Sequence, residues 1–174
     1  PGEGSTDPRT ARLLAALARR PPGALVYIST SGVYGDCGGQ WVSETRAVAP
    51  SNGRAVRRVD AERQLRRFGR AHGTQVSILR APGIYAADRL PLERIKRGTP
   101  ALVAEHDSYT NHIHADDLAR LAWAALFRGR RGRVYHAVDA HPLKMADWFD
   151  ACADAHGLAR PPRVTRAEAE KVLS

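Results

Sequence analysis

Short apolar runs alternate with amphipathic ones along this chain, and that alternation limits the fold more than any other feature. Residues 24–29 (ALVYIS), 74–82 (TQVSILRAP) and 133–138 (RVYHAV) are short, apolar and set off by turn residues, as buried strands are. Helical patterns lie between them. Residues 8–20 place Leu13, Leu14 and Leu17 at helical spacing, with Pro8 near the start and Pro21-Pro22-Gly23 as the stop. Residues 54–71 carry a stripe of Ala61, Leu65 and Phe68, and Arg58 and Glu62 stand at i, i+4, the spacing of an ion pair. Further helices are expected over 91–97, over 115–127 with Leu118, Leu121, Ala122 and Ala125 inward, and over 144–157, closed by Gly157. A last one starts at about 166. Strand, helix, strand, helix, strand predicts an α/β fold built on a parallel sheet.

Bulk properties narrow the function. A chain of 174 residues can bury about 70% of its unfolded surface as one domain. No apolar run approaches the roughly 18 residues that span a bilayer, and the start, PGEGSTDPRT, lacks the basic and apolar segments of a signal peptide. Cys37 and Cys152 match no metal or redox spacing, so a reducing cytoplasm is expected. The net charge of +9 invites a nucleic-acid reading. However, Lys96, Lys144 and Lys171 are the only lysines, the arginines are scattered among alanines, and no nucleic-acid-reading motif is present. No specific nucleic-acid partner is therefore expected.

Parallel sheets present ligands at the carboxyl ends of their strands. The run VYISTSGVYG, residues 26–35, ends a strand in Ser29, Thr30 and Ser31, where a reaction site would lie. The simpler reading is that these hydroxyls satisfy strand-end backbone groups. From 35 to 52 the chain is a long loop, and a loop of that length in a compact domain is usually functional. Trp41 within it either covers a site or staples the loop down. His112 and His114 alternate on one strand face, but no third ligand stands at metal-site spacing, so no metal is expected. Asp116 is expected to cap the helix that follows.

Several of these segments, in this order, resemble the extended short-chain dehydrogenase/reductases, the NAD-dependent epimerase/dehydratase family. VYISTSGVYG looks like the family's strand entering its hydroxyl-bearing turn, VDAERQL like the end of its catalytic helix, and SILRAPGIY like its strand with an Arg-Pro segment and a Tyr. NHIHADDLARLAWAAL looks like its His-Val-Asp-Asp-Leu-Ala segment and RVYHAV like its Tyr-Asn-Val strand. The likeness covers roughly residues 8–165. It implies a partial Rossmann-type parallel sheet, residues 1–87 and 113–139, with a small substrate-side lobe over 88–112 and 140–174. It also implies NAD or NADP as cofactor, a nucleotide sugar or similar hydroxy/keto compound as substrate, and a homodimer formed partly through the 54–71 helix. By the same resemblance Thr30 takes the catalytic Ser/Thr place, with Ser31 beside it. Ser29, Ala81, Pro82, Gly83 and Ile84 would border the cofactor, and Tyr85, Asn111 and His112 the substrate. Tyr34 or Tyr85 could stand in for a missing phenol, although an aromatic wall is the simpler reading of both.

Two departures follow. Counted back from Ala61-Glu62, the family's Tyr and Lys, which share a cleft at i, i+4 and move a proton together, fall on Arg54 and Arg58. Arginine cannot give up its proton in a protein, so the usual relay is missing. Arg58 would instead fix a ribose hydroxyl or a phosphate, and Arg54 an anionic substrate group. The Gly-rich phosphate finger is also missing, since Gly2-x-Gly4 follows no strand and has no third glycine. The chain thus reads as a fragment of a longer protein or as a degenerate product. The expected function is an NAD(P)-dependent epimerase/dehydratase-like oxidoreductase, inactive as it stands if nothing replaces the relay. The alternative is a non-catalytic member that senses a nucleotide or binds a partner.

Overall fold

A computed structural model describes residues 4–173; Gly2 of the Gly2-x-Gly4 scrap lies outside them. Two compact units divide the chain, Pro1–Pro82 with Ala115–Val138, and Gly83–His114 with Asp139–Ser174.

The first unit is built on a parallel sheet. Strands β1 (Ala24–Thr30), β2 (Gln75–Ala81) and β7 (Val134–His136) lie in the order β1-β2-β7. The register runs Ala24 to Thr30 against Gln75 to Ala81, then Ile78 to Arg80 against Val134 to His136. Helices α1 (Pro8–Leu17), α2 (Gly53–His72) and α4 (Ala115–Arg128) belong to this unit. Capping fixes where the first two begin. The Asp7 carboxylate accepts from the amides of Arg9 and Thr10 at 3.1 and 3.4 Å, ahead of Pro8 at the first helical position. Asn52 Oδ1 accepts from the Ala55 amide at 2.9 Å.

The core joins Leu14, Leu65, Phe68, Val76, Ile78 and Val134, with Tyr27 half-buried against it. Each of the larger side chains contributes about 1.5–3 kcal/mol by leaving water. The expected stripe of α2 is buried as read. Other helices bury less than their apolar spacing predicts. Leu14 is buried but Leu13 is 54% exposed, and α4 turns Leu118 and Ala125 inward while Leu121, Trp123 and Phe127 face solvent. The apolar arc of α4 is wider than the sheet surface it covers. The expected cap at Asp116 is also corrected. The helix already begins at Ala115, so Asp116 and Asp117 sit inside its first turn, where negative charge meets the positive end of the helix dipole.

After β1 a short 3₁₀ turn (Ser31–Tyr34) leads into the loop, and Gly35 makes that turn possible. Its φ is 70°, and a side chain there would run into the Ala49 carbonyl. Val42 and Val48 tie the loop to Val33, Tyr34 and Val59. Trp41 neither staples the loop nor covers a site, since it is 90% exposed.

The second unit contains paired strands of two or three residues. These are β3 (Gly83–Tyr85) parallel to β6 (His112–His114), β4 (Ala101–Leu102) parallel to β9 (Arg163–Val164), and β5 (Tyr109–Thr110) antiparallel to β8 (Leu143–Lys144). Helix α3 (Leu92–Lys96) packs through Ile95 on Cys152 and Ala153 of α5 (Met145–Ala155), and α6 spans Arg166–Leu173. Gly157, with φ 62°, follows the end of α5 as the sequence predicts.

Candidate functional site

The carboxyl ends of β1, β2 and β7 carry a buried polar network, in which Arg80 Nη1 has no hydrogen-bond partner among the described residues. Ser29 Oγ donates to Glu62 Oε1 at 2.6 Å. Arg80 grips the same carboxylate with two bonds, Nε to Oε1 at 3.1 Å and Nη2 to Oε2 at 2.7 Å, and both side chains are about 95% buried. The Arg58–Glu62 pair expected from helical spacing therefore does not form. A buried carboxylate demands a cation that follows it out of water, and Arg80 from the sheet does so. The Arg80 guanidinium lies 4.7 Å from the centre of the Tyr34 ring. The Tyr34 phenol is 2.6 Å from Nε2 of His136, and the His136 amide donates to Glu44 Oε1 at 3.3 Å. Burial pushes the Tyr34 phenol above its ordinary value, with Arg80 pulling it partly back, and pushes the His136 imidazole down. With His136 neutral, the tautomer of its ring sets which of the two groups donates in this bond.

These contacts decide several candidates. Ser29 is buried and its hydroxyl is committed to Glu62, so its side chain serves the interior rather than a cofactor. Tyr34 is 5% exposed and turned inward, away from the role of a replacement phenol. Thr30 Oγ1 accepts from the Gly32 amide at 3.2 Å and caps the 3₁₀ turn. Ser31 is half-buried beside it, and Ala81 is buried at the end of β2.

Arg54 and Arg58 open elsewhere. With Arg57 they line a cavity of about 490 Å³ together with Tyr27 and the residues around the start of α1, while neither Thr30 nor Ser31 lines it. The hydroxyls and the guanidinium groups thus do not share this pocket. Arg58 Nη1 donates to the Tyr27 hydroxyl at 2.7 Å and to the Ile28 carbonyl at 3.4 Å. Burial pushes the Tyr27 phenol up, with Arg58 opposing it.

In the second unit the Gly83 amide donates to the Asn111 carbonyl at 3.3 Å, and any side chain on Gly83 would press against the His112 ring. Ile84 is 38% exposed and Asn111 is exposed. His112 stacks on Trp148 with ring centres 4.0 Å apart, and Tyr85 meets both rings and His114 edge-on. Burial pushes His112 down, against the pull of Asp139. Among the described residues no group of three His, Cys, Asp or Glu side chains could hold a metal.

Sequence reasoning missed Tyr27, Arg57, Arg80, His136 and Trp148, and gave Glu62 the wrong partner. One of them carried a readable signal. An arginine inside an otherwise apolar strand must find a buried anion, and Arg80 stands in SILRAP.

A parallel three-stranded sheet with helices, and polar groups at its carboxyl ends, defines a Rossmann-type α/β protein. Residues 9–139 match the model of the NAD dependent epimerase/dehydratase family, and the chain belongs to that family. A dTDP-glucose 4,6-dehydratase of Streptomyces niveus is 29% identical over 133 residues, 71% of this chain and 39% of that protein. A functionally unknown conserved protein from Silicibacter pomeroyi superposes with a TM-score of 0.79 at 30% identity, covering 95% of this chain and 58% of its own. A Streptomyces venezuelae dTDP-glucose 4,6-dehydratase, solved with NAD bound, superposes with a TM-score of 0.74 at 21% identity, covering 92% of this chain and 53% of its own. That last likeness is one of fold. The chain spans between about two fifths and three fifths of the length of these relatives. Among the described residues no helix is long and apolar enough to cross a membrane.

Proposed function

We propose that the chain acts as, or within, an NAD(P)-dependent oxidoreductase of the epimerase/dehydratase kind, on a nucleotide sugar or a related hydroxy/keto compound. The parallel register of β1, β2 and β7, in a chain whose residues 9–139 match this family, carries the reading. The Streptomyces venezuelae neighbour with NAD bound supports the cofactor class. The cofactor would supply the hydride donor or acceptor. The residues at hand fit its oxygen-rich half, because Arg54 and Arg58 offer only donors, and ribose and phosphate oxygens accept. In this reading Arg58 holds a ribose hydroxyl or phosphate, and Arg54 an anionic substrate group. The backbone of Pro82, Gly83 and Ile84 passes the nicotinamide end, and Thr30 and Ser31 orient the reacting oxygen. Tyr85, Asn111 and His112 are the substrate contacts of the second unit. A reducing cytoplasm suits the two free cysteines, and a homodimer through α2 completes the reading.

The test is a titration of the 174-residue protein with NADH and NADPH, followed by nicotinamide fluorescence. A saturable change with either supports the reading. A flat response to both rejects it for this chain.

One observation favours the second reading, a non-catalytic member that senses a nucleotide. The relay positions are arginines, and burial pushes Tyr27, the phenol that Arg58 contacts, away from the ionised form. Turnover of a nucleotide sugar by the unaltered chain would reject this alternative. Activity gained only in an Arg54→Tyr/Arg58→Lys variant would show that the relay alone was lost.

A further inference from the structure

We infer that the amino edge of the β1-β2-β7 sheet is a docking surface for single-stranded nucleic acid, bound without regard to sequence through a row of arginines and the exposed rings of Trp123 and Phe127. The inference goes beyond the oxidoreductase reading and does not need it.

Because the three strands are parallel, the segments that lead into them lie along one edge of the sheet. Hydrogen bonds knit those segments together. Thr74 Oγ1 donates to the Pro22 carbonyl at 2.8 Å, the Gln75 amide to the Gly23 carbonyl at 2.9 Å, and the Gly132 amide to the Val76 carbonyl at 2.8 Å. Arg66 Nη1 on α2 donates to the Gly132 carbonyl at 2.9 Å, and a side chain on Gly73 would meet the Arg131 guanidinium. Arg19 and Arg20 precede β1, Arg70 precedes β2, and Arg128, Arg130 and Arg131 precede β7. All six are exposed, and among the described residues none of them is in an ion pair. Residues 18–24, 70–75 and 128–132 include no Asp or Glu. Asp7, Asp116 and Asp117 stand at the opposite ends of α1 and α4. The helix dipoles account for Arg70 and Arg128, in the last turns of α2 and α4, but not for Arg19, Arg20, Arg130 and Arg131, which lie outside any helix.

Neighbouring strands lie roughly 5 Å apart, so three adjacent entry segments set these guanidinium groups in a row rather than around a pocket. A row of forks fits a chain of phosphates better than one small anion, and each guanidinium can take two phosphate oxygens. Trp123 and Phe127 choose among the polyanions. They stand one turn apart near the end of α4, 67% and 70% exposed, with ring centres 5.1 Å apart, and Phe127 adjoins Arg128 in the chain. Rings beside cations give bases a surface to stack on while the phosphates are held, which is how single strands are bound without sequence readout. An acidic polypeptide offers carboxylates to the arginines but no planar bases to the rings. A lipid surface needs rings and cations in one plane, whereas here the cations continue past α4 to the segments before β2 and β1.

The experiment is fluorescence anisotropy of a labelled oligothymidylate of about 12 nucleotides, titrated with the full chain across a salt series. Saturable binding is expected, with log affinity falling linearly in log salt by about 0.7 per phosphate held. Arg130→Gln combined with Arg131→Gln should weaken binding about tenfold and make that slope shallower by about 1.4. Trp123→Ala should weaken binding about fivefold or more and leave the slope unchanged, as a loss of stacking does. Arg12→Gln removes one positive charge from an exposed position midway along α1, away from the edge, and should change neither. No saturable binding at low salt overturns the inference. A loss in Arg12→Gln as great as that in Arg131→Gln overturns it too, since the effect would then be one of net charge. Parental affinity in Trp123→Ala, displacement by polyglutamate as effective as by unlabelled oligomer, or tighter binding to phosphatidylglycerol vesicles would each reject the single strand as the partner. Binding of the oligomer by a chain that ignores NADH and NADPH leaves this inference standing and removes only the cofactor reading.

Discussion

Two arginine-centred regions of the same unit behave in opposite ways. Around Arg80 most donors meet acceptors, although its Nη1 is buried without a hydrogen-bond partner among the described residues. The carboxylate of Glu62 takes the fork, Ser29 donates to the same group, and the guanidinium face rests on Tyr34. Arg54 and Arg58 lie on one helix face beside a cavity, and the Asp7 carboxylate in its lining is engaged by local bonds. Burial explains the difference. A charge out of water must be paired within the protein, whereas a charge at the rim of a cavity can be left to water or to a ligand. The first region is an element of stability, and in the proposed function the second is where Arg54 and Arg58 would meet a ligand's oxygens.

The sharpest way to break this contrast is to remove the buried acid. Glu62→Gln leaves Arg80 buried without its counter-charge, and such a loss costs about 3–5 kcal/mol. Urea unfolding should show the midpoint fall steeply at constant slope. Replacing both partners, Glu62→Leu with Arg80→Met, should cost clearly less than the single change. If Glu62→Gln is as stable as the parent, the network is ornamental and the contrast fails.

Tyr34→Phe tests the far end of the same network. It keeps the ring under Arg80 and removes only the hydroxyl facing His136, so a loss of about 1 kcal/mol is expected. No change in unfolding free energy would mean that the phenol and the imidazole merely lie side by side.

The contrast was only half legible in the sequence. The strands that form the sheet and the stripe on α2 were readable, because runs of seven residues bounded by turns carry a pattern. The strands of two or three residues in the second unit carry almost none, and of these only the stretch with His112 and His114 was read as a strand. Arg54 and Arg58 were readable as one helix face, since i, i+4 geometry is local. Their neighbour Tyr27 was not, because it arrives from a strand whose side chains all read as core. For Glu62 the local rule misled. Arg58 stands four residues away on the same helix, but the buried side of α2 presents Glu62 to the sheet, where Arg80 waits. Pairings across elements decide the site, and one-dimensional spacing does not contain them.

Acidification should separate the buried region from the open one more gently. His136 in the network has a folded pKa pushed below its ordinary value of about 6.5, mainly by burial, and His112 in the second unit shifts the same way. Below that value the unfolded chain binds protons that the folded chain refuses. Stability is therefore full above about pH 6.5 and declines as pH falls toward the folded values. Thermal midpoints should drop shallowly between pH 7.5 and 5.5, and His136→Gln should flatten part of the slope. A midpoint that rises on acidification in this window would contradict the neutral, buried imidazole.

The smallest expected effect gives the contrast its sign. Like charges at i, i+3 and i, i+4 destabilise a helix by about 0.2–0.5 kcal/mol per pair. Arg54 stands in both relations, to Arg57 and to Arg58, and it is exposed. Arg54→Gln should therefore leave the protein as stable as before, or more stable by up to about 1 kcal/mol at low salt, with the gain fading as salt screens the charges. In the same buffer Glu62→Gln should lose several times that amount. A clear loss of stability in Arg54→Gln, measured without any added anion, would mean that this guanidinium holds the fold as Arg80 does. The cavity would then have to be read as part of the core rather than as an opening for a ligand.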